Sequence, residues 1–139
     1  MSEALGTPSA RLRALVVDDD PAVRRILTEC LQLQDIEVVE AGNGLQAMAA
    51  VAAARFDVIF VDIVMPEKDG IETIIDLRKQ RTPGRIIAIS AHTKFGDMLL
   101  LEAARSVGAD DFIPKPINPR GLVLATKRLL GEARAAKDA

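Results

Sequence analysis

The feature that most constrains the fold is an alternation of short apolar runs with longer segments of helical period. The strand candidates are residues 12–17, 37–41, 58–62, 86–90 and 111–113. Strands that alternate with helices through short joints form a parallel sheet with helices on both faces. The runs 58–61 and 86–89 are continuously apolar, as expected of strands buried on both sides. The sequence therefore predicts an α/β fold with a doubly wound, five-stranded parallel sheet.

The helix candidates fill the intervals between these strands. The best-marked helix follows Asp20, a typical N-cap residue, and Pro21, which favours the first helical turn. Its apolar positions recur at helical spacing: Val23, Ile26, Leu27, Cys30 and Leu31. Further helices are predicted at residues 44–54, 71–81, 97–107 and 119–135. Residues 11–133 are expected to form one domain, with tails at 1–10 and 134–139.

Composition and charge exclude several classes of function. The chain has 18 Lys and Arg against 20 Asp and Glu, a net charge of −2, so no overall positive field attracts nucleic acid. The longest apolar run, 47–54, is far shorter than the ~20 residues of a membrane span, so no membrane insertion is expected. Cys30 is the single cysteine and is expected to be a small buried hydrophobe. Without an internal disulfide or a secretory pattern, we expect a cytoplasmic protein.

Polar side chains collect where the predicted strands end. In a doubly wound sheet, ligands bind outside the carboxyl ends of the strands. The residues at these ends are Asp18, Asp19 and Asp20 after the first strand, Asp62 at the third, Ser90 at the fourth and Lys115 after the fifth. Carboxylates that lie close together repel one another unless a cation neutralises them, and hard oxygen ligands suit Mg²⁺. The pattern predicts a Mg²⁺ site between Asp19 and Asp62.

This set of groups also suits a phosphoryl group. One phosphoryl oxygen could contact the metal, another the ammonium of Lys115 and a third the hydroxyl of Ser90. Phosphoryl transfer depends mainly on positioning the reactants and neutralising these oxygens. The nucleophile would then be the carboxylate of Asp62, which precedes an Asp-Gly turn leading into the third helix.

The motifs at these strand ends resemble the receiver domain of two-component response regulators over about residues 11–133. The blocks that carry the resemblance are Val16-Val17-Asp18-Asp19-Asp20-Pro21, Asp62-x-x-Met65-Pro66-x-x-Asp69-Gly70, Ile89-Ser90-Ala91 and Gly108-Ala109-Asp110-Asp111-Phe112-x-x-Lys115-Pro116. The resemblance implies a flavodoxin-like three-layer sandwich with strand order 2-1-3-4-5. It also implies a stand-alone signalling switch that catalyses only its own phosphotransfer and slow dephosphorylation.

The resemblance assigns the acidic residues to phosphate and metal binding. Asp62 would accept a phosphoryl group from a phosphohistidine of a sensor histidine kinase or histidine phosphotransfer protein. Asp19 would bind Mg²⁺ directly, and Asp18 would bind it through water or orient it. The backbone carbonyl of Val64 would complete the ligands from the protein.

Three further residues gain roles from the same resemblance. Ser90 would donate a hydrogen bond to the phosphoryl group and Lys115 would form an ion pair with it. Phe112 would be the aromatic residue that rotates as Ser90 shifts, although a core phenylalanine has the same appearance in sequence. The Lys115-Pro116 peptide bond would be cis.

The residue two places after the acceptor bears on the lifetime of the phosphoryl group. Family members that hydrolyse their phosphate quickly tend to carry a polar side chain there, whereas this chain has Val64. We therefore expect slow dephosphorylation, with His92 as a residue that could partly restore a polar contact.

A stripe on the fourth helix is a candidate partner surface. Met98, Leu101 and Arg105 recur at i, i+3 and i+7. In receivers, partners contact the face built from the fourth helix, fifth strand and fifth helix. We expect this face to bind a downstream protein target or, after phosphorylation, a second copy of the chain. The alternative is that Met98 and Leu101 pack beneath the adjoining helix.

Other interpretations remain open at this point. The chain could be the receiver of a longer transcriptional or enzymatic regulator. An aspartyl-phosphate hydrolase would place a second Asp where Val64 stands, and a flavodoxin-like cofactor carrier would need aromatic residues, whereas the chain has no Trp or Tyr. The acidic run 18–20 taken alone could be a solvated loop with a helix cap, and Asp20 is expected to be that cap.

Overall fold

The computed structural model describes residues 11–63, 65, 70–90 and 96–138, with side chains described throughout except at 96–101 and 132–138. All strands of its sheet are parallel and follow the order β2-β1-β3-β4-β5. They are β1 (Arg13–Val17), β2 (Glu37–Ala41), β3 (Val58–Asp62), β4 (Arg85–Ser90) and β5 (Asp111–Pro114). The predicted architecture and strand order are confirmed.

A helix follows each strand. The helices are α1 (Pro21–Gln32), α2 (Gly44–Ala53), α3 (Gly70–Lys79), α4 (Gly96–Val107) and α5 (Pro119–Asp138). Asp20 caps α1 by accepting a hydrogen bond of 2.9 Å from the backbone of Ala22, as predicted. Among the described residues, none of the helices combines the length and apolar character needed to span a bilayer.

Two helices end two or more residues away from their predicted ends, and the other helix boundaries agree to within one residue. Helix α3 ends two residues early because Arg81 adopts a left-handed backbone conformation, with φ of 54°. The backbone N–H of Thr82 then bonds to the carbonyl of Leu77, which closes the helix end. Helix α5 continues to Asp138, three residues beyond its predicted end at residue 135. The sequence after Gly131 consists mainly of strong helix formers and contains no Gly or Pro. Residues 1–10, the predicted N-terminal tail, lie outside the described residues.

The sheet separates two apolar clusters. Val58 and Phe60 of β3 face the cluster that contains the buried leucines of α1 and α5. Ile59 and Val61 face the cluster formed with α2, α3 and α4. Because side chains alternate along a strand, a continuously apolar β3 supplies both clusters at once. The result is the predicted three-layer sandwich, with the ends of the central strands left free for polar groups.

Arg78 links three segments at the edge where β4 and β5 begin. Its guanidinium donates hydrogen bonds of 2.9–3.0 Å to the carbonyl of Gly108, which follows α4, and 2.9 Å to Asp110. The same Asp110 oxygen accepts a bond of 2.8 Å from the backbone of Ile86 in β4. Gly108 has φ of 128°, and an added Cβ there would lie 2.5 Å from the Arg78 side chain. The end of α4 is therefore fixed to the sheet at the edge opposite the polar strand ends.

Candidate functional site

Asp18, Asp62 and Lys115 converge at the carboxyl ends of β1, β3 and β5. Lys115 Nζ donates a hydrogen bond of 2.9 Å to Asp62 Oδ2 and lies 3.2 Å from Asp18 Oδ2. Both aspartates are buried, with exposed fractions of 0% and 2%. The structure thus brings together three groups that are far apart in the chain and that were predicted from strand-end positions alone.

Backbone contacts fix the orientation of Asp18. Its backbone N–H donates to the carbonyl of Ala41 at 3.1 Å, which extends the pairing of β1 with β2. Asp18 Oδ1 accepts a hydrogen bond of 2.9 Å from the backbone of Asp20, and its carbonyl accepts one of 2.6 Å from Arg24. These bonds leave the other carboxylate oxygen, Oδ2, directed toward Lys115 and Asp62.

Asp18 Oδ2 is buried in an electrostatically unfavourable position. It accepts no hydrogen bond from the described residues, although the ammonium of Lys115 is within ion-pair distance. Burial raises the pKa of Asp18 from 3.8 to about 6, and the charge of Asp62 adds to this shift. The backbone bond from Asp20 and the charge of Lys115 oppose the increase without cancelling it. A further positive charge at this point would stabilise the ionised form.

The carboxylates of Asp18, Asp19 and Asp62 form a set of oxygens that fits Mg²⁺. One oxygen from each residue lies within 4.8 Å of the others. Asp19 is exposed, whereas the other two residues are buried, so the cluster opens toward solvent on one side. Hard carboxylate oxygens, one of them buried, are suited to a small divalent cation that retains several waters. The three aspartates predicted to bind Mg²⁺ therefore lie close enough to share one ion.

Lys115 remains charged and is linked to Ser90. Burial acts to lower the pKa of Lys115, but the hydrogen bond to Asp62 and the charges of the two aspartates raise it overall. The backbone N–H of Lys115 donates a bond of 2.6 Å to the carbonyl of Ser90, immediately beyond the last β4–β5 pair. Ser90 closes β4 and is buried, with an exposed fraction of 2%. The Lys115-Pro116 bond is cis, as the resemblance implied.

Gly70 packs directly on the backbone that carries Asp62. A Cβ added to Gly70 would lie 2.1 Å from the carbonyl oxygen of Asp62 and 2.4 Å from Cα of Ile63. Only a residue without a side chain allows this approach. Sequence reasoning treated the Asp69-Gly70 pair as a turn and missed this contact, because spacing along the chain does not show which backbone segment lies beneath a helix start.

Phe112 and Arg105 are in contact on the face of the sheet that α4 covers. Phe112 pairs with Ala88 across β4 and β5, and both pack in the cluster of α2, α3 and α4. The guanidinium of Arg105 in α4 lies over the Phe112 ring, 5.7 Å from its centroid. Arg105 was predicted as a partner contact, and the structure shows that it also has this partner within the chain.

Several predicted residues are not covered by these observations. Val64, the proposed carbonyl ligand, and His92 lie outside the described residues, as do the side chains of Met98 and Leu101.

Comparison with known proteins identifies the family. Residues 14–127 match the family of the response regulator receiver domain. The transcriptional regulatory protein ResD of Bacillus subtilis strain 168 is 38% identical over 122 residues, which cover 87% of this chain and 49% of ResD. AruR of Pseudomonas aeruginosa is 35% identical over 130 residues, which cover 90% of this chain and 52% of AruR. The chain thus spans about half the length of these curated relatives.

A solved structure shows the same fold. The chemotaxis protein CheY4 of Vibrio cholerae superposes with a TM-score of 0.78 at 31% identity, covering 86% of this chain and 99% of CheY4. The family match, the shared strand order and the acidic cluster agree with one another. The chain belongs to the receiver domain family of two-component response regulators.

Proposed function

We propose that Asp62 accepts a phosphoryl group from a phosphohistidine of a sensor histidine kinase or a histidine phosphotransfer protein. The observation that carries this proposal is the buried Asp62 carboxylate, which accepts a hydrogen bond of 2.9 Å from Lys115 and lies beside Asp18 and Asp19. A carboxylate at the end of a central strand can be reached by a donor group placed against that edge of the sheet.

The proposed reaction exchanges one bond to phosphorus for another. An Asp62 oxygen attacks phosphorus, a P–O bond forms, and the P–N bond to the donor imidazole breaks. The imidazole leaves with the electron pair of that bond and takes a proton from solvent. Lys115 is within reach of the new acyl phosphate and would neutralise part of the charge on its oxygens.

We propose that Asp18, Asp19 and Asp62 hold Mg²⁺ together with the carbonyl of Val64. The ion would supply positive charge for the phosphoryl oxygens. The support from this chain is the buried Asp18 Oδ2, which receives no hydrogen bond of standard geometry from the described residues and whose ionised form gains from a nearby cation. Asp19 lies on the exposed side of the cluster and therefore suits direct contact with a partly hydrated ion.

The signal is proposed to leave the chain through altered protein contacts. Phosphorylation adds about −1.5 to −2 charges next to Lys115 and Ser90. Ser90 would donate a hydrogen bond to the phosphoryl group, and Phe112 would move with it. The proposed partner face contains Met98, Leu101 and Arg105, and its partner is a downstream target or a second copy of the chain.

We interpret the chain as a phosphoacceptor switch of the cytoplasm, not as an enzyme that releases a product. Val64, an apolar residue two places after Asp62, supports slow loss of the phosphoryl group. The half-length coverage of ResD and AruR favours a second candidate, in which the same switch serves as the receiver of a longer regulator. Both candidates share the chemistry at Asp62.

The test is phosphorylation by a small-molecule donor such as phosphoramidate in the presence of Mg²⁺, followed by intact mass measurement. We expect one added phosphate that is lost on treatment with hydroxylamine, which cleaves acyl phosphates. Asp62→Asn should remain unmodified. The matched control is Asp35→Asn, since Asp35 has a side chain that is 90% exposed and a φ of 61° that Asn tolerates. Persistence of the modification in Asp62→Asn, or its absence from the wild type, would contradict the proposal.

A further inference from the structure

The position of Phe112 allows its ring to move toward Ser90. Phe112 lies directly opposite Ala88 on β4, and the two side chains share one face of the sheet. Ser90 lies two residues further along β4 and therefore points to that same face. Ala88, the residue beside the ring, has the smallest side chain of β4. A large ring beside a single methyl group has a path along the sheet that a larger neighbour would block.

Arg105 covers this ring from the side of α4. Its guanidinium is 5.7 Å from the ring centroid, within the range of a cation–π interaction. Phe112 is only partly buried, and Arg105 is exposed. The guanidinium therefore rests on a ring that lies near the surface of the sandwich. Movement of the ring toward Ser90 would separate the two groups.

We propose that Arg105 is a positioning residue that holds Phe112 in its outer position and thereby opposes the phosphorylated arrangement. The inference rests on the proposed function, because it assigns a regulator to the same site. Arg105 acts through Phe112 and does not contact the phosphoryl group. The contact between the Arg105 guanidinium and the Phe112 ring forms only in the unphosphorylated state. An interaction that forms in only one of two states shifts the population toward that state.

The size of the effect follows from the type of contact. Cation–π pairs at exposed sites shift a two-state equilibrium by about two- to fivefold. Loss of Arg105 should therefore tighten the binding of a phosphoryl analogue by about that factor. A Lys at this position keeps the charge but loses the flat guanidinium, so it should restore part of the wild-type behaviour.

The chain contains a matched control on the neighbouring helix. Arg128 of α5 forms an ion pair with Asp111, the residue that precedes Phe112 in β5. It therefore contacts the same strand from the other side without resting on the ring. A general loss of positive charge or of strand stability would affect Arg105 and Arg128 variants alike.

The experiment uses the full chain labelled with 4-fluorophenylalanine and followed by fluorine NMR. The chain has four Phe, so the Phe112 signal is assigned by its loss in Phe112→Leu. Beryllofluoride with Mg²⁺ serves as the phosphoryl analogue and is titrated into wild type, Arg105→Gln, Arg105→Lys and Arg128→Gln. The thermal midpoint of each variant is recorded alongside.

The expected result is specific to Arg105. Without beryllofluoride, the Phe112 signal of Arg105→Gln should move toward its position in the analogue-bound wild type, and the affinity for beryllofluoride should rise about two- to fivefold. Arg105→Lys should be intermediate and Arg128→Gln unchanged. Equal affinity and an unmoved signal in Arg105→Gln, or the same change in Arg128→Gln, would overturn the inference and leave phosphate acceptance intact. A wild-type chain that does not bind beryllofluoride would remove the proposed function and this inference together.

Discussion

Lys115 Nζ donates a hydrogen bond of 2.9 Å to Asp62 Oδ2, although the two residues are 53 positions apart in the chain. The ammonium also faces Asp18, so one positive charge is shared by two buried carboxylates. The ammonium neutralises the negative charge of the two carboxylates only in part, and the pKa of Asp18 is still raised by burial. Its components can be separated by substitution.

Substitution of Lys115 should affect metal binding and phosphorylation in opposite directions. Lys115→Met removes the ammonium and leaves the acidic cluster more negative, so Mg²⁺ affinity should rise by about tenfold. Phosphorylation at saturating Mg²⁺ should nevertheless slow by about tenfold or more, because the acyl phosphate loses its ion pair. Titration calorimetry and intact mass against time measure the two effects. Lys127→Met, at an exposed position on α5, serves as the control and should change neither quantity. A decrease in both Mg²⁺ affinity and phosphorylation rate in Lys115→Met would indicate a structural defect instead.

Asp18 should make the stability of the metal-free chain depend on pH. Its pKa is about 6 when folded and 3.8 as the reference for the unfolded chain. Between these values the folded chain binds more protons than the unfolded chain, so the free energy of unfolding falls as the pH rises from about 4 to about 6. Asp18→Asn removes this dependence and should raise the free energy of unfolding by about 1–2 kcal/mol at pH 7.5.

Urea denaturation without Mg²⁺ at several pH values tests the contribution of Asp18. The matched substitution is Asp19→Asn, which removes a carboxylate from the exposed side of the same cluster and should change stability by less than about 0.5 kcal/mol. Added Mg²⁺ should stabilise the wild type more than Asp18→Asn. If the free energy of unfolding of Asp18→Asn changed with pH as that of the wild type does, burial of Asp18 would not limit stability.

Gly70→Ala should disturb the backbone of Asp62. The new methyl group would overlap the Asp62 carbonyl, which lies 2.1 Å from the Cβ position, so either helix α3 or the end of β3 must shift. We expect a loss of about 3 kcal/mol in the free energy of unfolding and slower phosphorylation of the fraction that remains folded. Gly131→Ala is the control, since nothing lies within 4 Å of its added Cβ in α5. That change should stabilise the chain by about 0.5–1 kcal/mol. Equal effects at the two glycines would contradict the close contact.

Arg78 should stabilise the end of α4 more than it stabilises the neighbouring segments of the chain. Arg78→Met removes charge-assisted hydrogen bonds to Gly108 and Asp110 and should cost about 2–3 kcal/mol. Hydrogen exchange should increase most at residues 104–110. Arg85→Met is the matched comparison, because Arg85 reaches the same aspartate from β4 at 3.7 Å, against 2.9 Å for Arg78. Hydrogen exchange at residues 104–110 should stay near the wild-type level in Arg85→Met.

The sequence was sufficient to predict which groups meet at the site. Asp18, Asp62 and Lys115 follow strands of one parallel sheet, and the carboxyl ends of such strands lie at one edge whatever the details of packing. The prediction therefore needed only the strand positions, which the apolar runs marked clearly. The family resemblance supplied the strand order and the cis bond at Lys115-Pro116, neither of which the apolar pattern determines.

Other features depend on contacts that a sequence does not encode locally. Arg78 bonds mainly to backbone carbonyls, and every residue has a carbonyl, so no pattern of side chains points to Gly108 as its partner. The stacking of Arg105 on Phe112 depends on how α4 is rotated against β5. Helix spacing predicted an outward position for Arg105 but could not show that a ring lies beneath its guanidinium.

The bond from the backbone of Lys115 to the carbonyl of Ser90 has a consequence for the anion that the proposed site would accept. Neighbouring strands are held about 4.8 Å apart by their ladder, and this bond continues the ladder to the residues that carry the ammonium and the hydroxyl. The separation of the two backbone segments that carry these donors is then set by main-chain geometry. The proposed phosphoryl group would therefore meet two donors whose backbone separation stays the same when substitutions elsewhere in β4 or β5 preserve the ladder.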